Sequence, residues 1–244
     1  MNNNEIAKAK NNAQKEREVY KEKAFELMAN GAEVRDPERL EIRGNITCGK
    51  NVVIDINVIF EGNVVLEDEV FIGANCILRD CRIGKGARIN PFSLVEESEV
   101  GDHSFVGPYG RLRPGTLIGK NVQIGNFVEV KNAKIASECR INHLSFIGDA
   151  DLAENVTLGA GTITCNHDGF GIKHLSIDKG AYIGSGCNLV APLRVNANST
   201  IAAGSTITED VPENTLTIAR ARQVTIRGWK GQKYQKNIVT RNDK

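Results

Sequence analysis

A chain of 244 residues suits one domain, or one domain with an appendage. Its 31 basic and 30 acidic residues are mixed along the sequence for a net charge of +1, so there is no basic block for nucleic acid and no acidic partner arm. No apolar stretch reaches membrane length and "MNNNEIAKAK" lacks a signal-peptide core, so a cytoplasmic protein with no membrane or nucleic-acid partner is expected.

Residues 1–31 predict a helical arm. They have no β-branched run and many good helix formers, with Ile6, Ala9, Ala13, Tyr20, Ala24, Leu27 and Met28 loosely striping one side. Gly31, after Asn30, is the expected C-cap.

From residue 32 to 210 the pattern changes to a period of six. Aliphatic residues recur at Ile177, Ile183, Leu189, Val195, Ile201 and Ile207. Upstream the series includes Leu66 and Ile72, Ile83 and Ile89, Val100 and Val106, Ile118 and Ile124, then Ile135, Ile141 and Ile147. A glycine often follows the aliphatic, and a small or branched residue such as Cys76, Ala87, Ser104, Cys139 or Cys187 stands four places after it. Such a period is neither helical nor simply alternating; it marks a hexapeptide parallel β-helix with three short strands per triangular coil. The fold class is therefore all-β, with the N-terminal α-helix and an irregular C-terminal tail as additions. The aliphatic residue should fill the interior and the glycine should supply turn dihedrals closed to other residues. Coils would stack about 4.8 Å apart, roughly nine of them between Arg43 and Asp210. Residues 211–244 form a basic tail with the only tryptophan, Trp229; tail and helix are expected to cap the exposed ends. The flat faces invite closed three-fold association of identical chains. Six cysteines without a CxxC pair are expected to be reduced and mostly buried.

Four segments carry polar residues that a scaffold does not need: "RLRPG", "NFVEVKNA", "INHLSFIGDA" and "GAGTITCNHDG". Arg113 and Lys131 are one coil apart, and two cations on one face repel unless an anion such as phosphate sits there; two solvated cations are the alternative. His143, one coil edge further on, is either a hydrogen-bonded histidine or a general base. Among His103, His143, His167 and His174 there is no HxxxH or HxxxxH pair, so no metal site is expected. "TCNHDGFGIKH" breaks the rhythm and should loop out, either as a functional excursion or as a harmless insertion.

These segments, with "IGSGCNLVAP" and "TIAAGSTIT", resemble the acetyltransferase half of bacterial bifunctional N-acetylglucosamine-1-phosphate uridyltransferase/glucosamine-1-phosphate acetyltransferases, over almost the whole chain. The resemblance implies a left-handed β-helix, a homotrimer with active sites at subunit interfaces, and acetyl-CoA as donor. It implies a small amino sugar phosphate as acceptor, glucosamine-1-phosphate by default, and a product that feeds cell-envelope polysaccharide precursors. His143 falls on the catalytic base, and Arg113 and Lys131 on the cations that hold the sugar phosphate. Ala160, Asn166, Ser185, Ala203 and Arg220 fall on positions that contact acetyl-CoA, with His167 in place of a tyrosine beside Asn166. Glu129 is kept and is expected to support the amine or the base. Acetyl transfer of this kind requires no metal. On the acceptor side Phe146 replaces a tyrosine, Thr157 an asparagine and Ile172 a lysine, although Lys173 is adjacent; such changes should alter specificity. No nucleotidyltransferase motif precedes residue 30, which makes a separate uridyltransferase a candidate partner. The alternatives are a catalytically weak trimeric scaffold and an acetyltransferase for a different amino sugar, sugar nucleotide or hydroxyl.

Overall fold

The six-residue series points inward. Every aliphatic residue named in it is buried, and so are the small residues four places on, from Cys76 to Cys187. A computed structural model, describing residues 2–229, shows how this is achieved. Short strands from Glu33–Val34 to Leu216–Thr217 pair in parallel and wrap one continuous apolar core, the all-β parallel β-helix that the repeat predicts. One face is a sheet of 11 strands. The other two faces are joined into one 16-stranded sheet, because strands Glu41–Cys48, Ile59–Leu66 and Ile77–Ile83 run unbroken around a corner. Ile77–Ile83 then pairs with Leu94–Glu96 on one face and with Ser98–Val100 on the next.

Eleven rungs exceed the roughly nine coils counted from the repeat. The ladder begins before Arg43, at Glu33–Val34, and continues past Asp210, where Thr200 and Ile201 pair with Leu216 and Thr217. These outer coils lack the regular aliphatic–glycine pair and so were not visible as repeats.

The glycines work differently from expectation. Most of those after the aliphatic do not adopt left-handed dihedrals. They stand where neighbouring coils touch: a Cβ on Gly125 would lie 1.9 Å from the Asn142 carbonyl oxygen. Left-handed corners are taken instead by residues such as Asn57 and Asn75, whose side-chain amides bond to each other at 2.9 Å.

The helix spans Asn3–Ala29 and starts with a capping box between Asn2 and Glu5. Only Ala24 and Leu27 of the expected stripe are buried; Ile6 and Met28 are exposed, because the helix meets the solenoid only near its C-terminal end. Asn30 is the C-cap residue, and Gly31 follows it at φ +98°. Among the described residues no helix is long and apolar enough to cross a membrane. Much of the expected tail, residues 230–244, lies outside the described residues. Four of the six cysteines are buried, Cys48 and Cys165 partly so, and burial pushes the Cys81 thiol up to about 12.

Candidate functional site

His143 ends strand Arg140–His143 and pairs in register with Asn126, the last residue of strand Gln123–Asn126. The Asn126 side-chain oxygen Oδ1 lies 2.7 Å from His143 Nδ1. An amide oxygen only accepts, so Nδ1 carries the hydrogen and the Nε2 lone pair is left free. The ring is exposed and borders a cleft of about 380 Å³ lined by Pro108, Tyr109, Asn126 and Phe127 among others.

On its other side the main chain leads to the expected donor positions. Gly161 N–H donates to the His143 carbonyl at 3.2 Å, which places Ala160 on the next rung. Gly186 N–H donates to Ala160, and Gly204 N–H to Ser185, each at 2.8 Å. Gly204 faces Arg220, whose Cδ is the only atom a Cβ there would meet, at 3.8 Å. His143, Ala160, Ser185, Ala203 and Arg220 thus follow one another down one edge of the solenoid.

Around the corner, past Leu144 and Ser145, lie the acceptor-side residues. A column of alternating charge runs along this face: Arg43, Glu61, Arg79 and Glu96 occupy successive rungs. Arg43 bonds Glu61 at 2.9 Å, and Arg79 bonds Glu96 at 3.0 Å. Arg113 and Lys131 come next, one residue past the paired rungs of Leu112, so two cations stand in succession. The rung after Lys131 is Gly148, which has no side chain. Alternation therefore breaks at these two rungs.

Each of the two cations nevertheless has a carboxylate of its own. Arg113 Nη1 lies 2.8 Å from Glu129 Oε1, and Lys131 Nζ lies 3.6 Å from Asp149 Oδ2. The two cations need no bound phosphate to relieve their repulsion, since the chain itself supplies the counter-charges. Glu129 is engaged by Arg113 rather than by His143.

Asp149 is a site residue that sequence reasoning missed. It is 4% exposed and accepts hydrogen bonds from the side-chain amides of Asn132 (2.6 Å) and Asn166. Burial alone would raise its pKa, but the two amides and the Lys131 ammonium outweigh it and hold the carboxyl below the usual range. Asn126 was missed as well. The signals were an Asp directly after the repeat glycine and an Asn at the same position in the preceding coil as His143.

Phe146 pairs with Glu129 and Ile163, and its ring lies over Gly148. A Cβ on Gly148 would stand 2.7 Å from both Phe146 Cζ and Asn166 Nδ2. Lys131, Phe146, Asn166 and Asp149 are therefore together. Thr157 is not: it shares the His143 face but is level with Arg140 and Tyr182, at the far end of the strand. His167 lies within the excursion, bridging antiparallel to Ile172 while its Nδ1 accepts from Gly169 N–H at 3.1 Å. Asp168 closes the turn on the Phe170 and Gly171 N–H groups and pairs with Lys173 at 3.5 Å, which ties down the lysine next to Ile172. Among the described residues no group of three or more His, Cys, Asp or Glu side chains is arranged to hold a metal ion.

A family model described as the GMPPB C-terminal domain matches residues 42–142. The chain is 50% identical over 207 residues to the bifunctional protein GlmU of Aromatoleum aromaticum, covering 85% of this chain and 46% of that protein. It is 50% identical over 224 residues to GlmU of Ralstonia nicotianae, covering 92% of this chain and 49% of that protein. The chain thus spans about half the length of the curated relatives it matches. Among solved structures, LpxA of Acinetobacter baumannii matches with 17% identity and a TM-score of 0.45, covering 67% of this chain and 69% of that one.

Proposed function

We propose, for a chain related over nearly its whole length to one half of the bifunctional protein GlmU, that it is an acetyl-CoA-dependent N-acetyltransferase acting on an amino sugar phosphate. Glucosamine-1-phosphate is the default acceptor. One observation carries the reading: His143 is exposed at a cleft, with Nδ1 held by Asn126 and Nε2 free, beside an edge that runs through Ala160, Ser185 and Ala203 to Arg220.

The chemistry follows from that tautomer. His143 Nε2 takes the proton of the acceptor amine as the amine nitrogen bonds to the thioester carbonyl carbon. The C–S bond breaks when the tetrahedral intermediate collapses, and the imidazolium returns its proton to the departing thiolate. The Ala160 main-chain N–H stabilises the oxyanion in this reading, those of Gly159 and Gly161 being bonded to the Ile183 and His143 carbonyls, and Ser185 supports the leaving sulfur. Arg113 and Lys131 hold the sugar phosphate, which has to share them with Glu129 and Asp149. With no side chain at Gly148, the Phe146 ring and the Asn166 amide lie against that rung beside Lys131, where they line the acceptor's position.

Thr157 lies away from His143 on its own chain, which fits a homotrimer whose sites draw residues from two copies. A separate uridyltransferase remains part of this proposal as a partner, and the cytoplasm as its location. Release of free CoA with glucosamine-1-phosphate, measured for the wild type and for His143→Ala, tests the reading. A variant as active as the wild type would remove His143 as the base.

A further inference from the structure

The residue that organises the acceptor side is the one the repeat hides. Asp149 sits at a left-handed corner, φ +51°, with its carboxylate turned into the protein. Its main-chain N–H donates to the Lys131 carbonyl at 3.0 Å, and its own carbonyl accepts from Leu175 N–H at 3.2 Å. Leu175 is where the chain returns from the excursion that Asn166 begins. Asp149 therefore ties both ends of that loop, Asn166 through its side chain and Leu175 through its backbone.

A carboxylate differs from every neutral substitute in one respect: it can only accept. Three donors converge on this one, from Asn132, Asn166 and Lys131. The Asn166 amide is thereby oriented without ambiguity. Its NH2 is turned to Asp149, over Gly148 and beside the Phe146 ring, and its carbonyl oxygen has no hydrogen-bond partner among the described residues.

We propose that Asp149 is a positioning residue of the acetyl-transfer site, which by taking the Asn166 NH2 makes Asn166 present a carbonyl oxygen, an acceptor suited to the N–H of an amine. This rests on the reading of the site given above. Selection of an amine over a hydroxyl, which has a single hydrogen already claimed by the base, then follows from the direction of one amide. An amine keeps a second N–H for Asn166 while His143 takes the first.

Asp149→Asn keeps the shape but offers an NH2 in place of one of the two acceptor oxygens, so it no longer fixes the direction of the Asn166 amide. The expected result is a fall in kcat of roughly 10²-fold, with the KM for acetyl-CoA unchanged. In an Asn166→Ala background the same substitution should change kcat by no more than about twofold, because the group it acts through is gone. An equal fall in both backgrounds overturns the proposal. Exchange of the Asn166 side-chain amide protons, followed by NMR, separates this claim from the functional reading. If the wild type turns over no amino sugar, slow exchange that is lost in Asp149→Asn still supports the clamp, and equal exchange in both proteins overturns it. Should the variant not fold, a neutron structure of the wild type decides: Asn166 nitrogen toward Asp149 supports the clamp, and oxygen toward Asp149 rejects it.

Discussion

At the scale of single residues, His143 and Asn126 carry the heaviest demands. Removing the base by His143→Ala should lower kcat by about 10²–10⁴-fold. Asn126→Ala frees the ring to take either tautomer and should lower kcat while leaving the KM for acetyl-CoA unchanged, which steady-state kinetics would read directly. Asp149 makes a separate prediction about pH. Its carboxyl is held below the ordinary value of about 3.9, so the stability it contributes is present above that value and is lost as pH falls through the lower folded-state value. Urea unfolding of the wild type and Asp149→Asn should show a gap that is constant from neutral pH to about pH 4 and shrinks below it. A gap that widens on acidification contradicts the assignment. His143, Arg113 and Lys131 could be read from the sequence because their types conflict with a repeat that needs only aliphatic and small residues. Asp149 and Asn126 could not. Their partners stand on other coils, and the register between coils is not constant: Arg111 pairs with Glu129 but Glu129 with Phe146, a shorter step, and Thr157 pairs with Tyr182 across the excursion.

At the scale of strands and corners, the repeat yields its hydrophobic half more readily than its turns. The aliphatic column was legible because burial of each apolar side chain contributes about 1.5–3 kcal/mol and leaves little tolerance at those positions. Ile141→Ala should accordingly destabilise the protein by about 2–5 kcal/mol in urea unfolding. The role of the glycines was not legible, since a residue without a side chain looks the same whether it bends the chain or admits a neighbour. Gly125→Ala tests the second role: its Cβ would collide with the Asn142 carbonyl, one residue before His143. We expect lower stability together with lower activity; Gly125 is not in the left-handed region, so unchanged stability in urea unfolding would mean that the close approach is not what requires glycine there. The excursion from Asn166 to His174 was recognised by its break in rhythm, but its closure by Asp149 and Asp168 depends on contacts that no local pattern encodes.

At the scale of the whole molecule, the described chain is a solenoid with one polar, site-bearing corner and a helix that joins it only through its last turns. The outer coils escaped the repeat count because an end coil has a neighbour on one side only and is under weaker packing constraint. Assembly is the property furthest from sequence. If sites draw on two copies, mixing His143→Ala chains with chains altered at Thr157 should restore some activity in mixed oligomers, and sedimentation should show a trimer of the 26.6 kDa chain. Central to all of this is acetyl transfer to an amino sugar phosphate with His143 as the base. The measurement that tests it most directly is CoA thiol release with acetyl-CoA and glucosamine-1-phosphate, wild type beside His143→Ala. Saturable, acceptor-dependent release that falls by at least about 10² in the variant is the predicted result; release unaffected by the substitution, or none with any amino sugar phosphate, would contradict it.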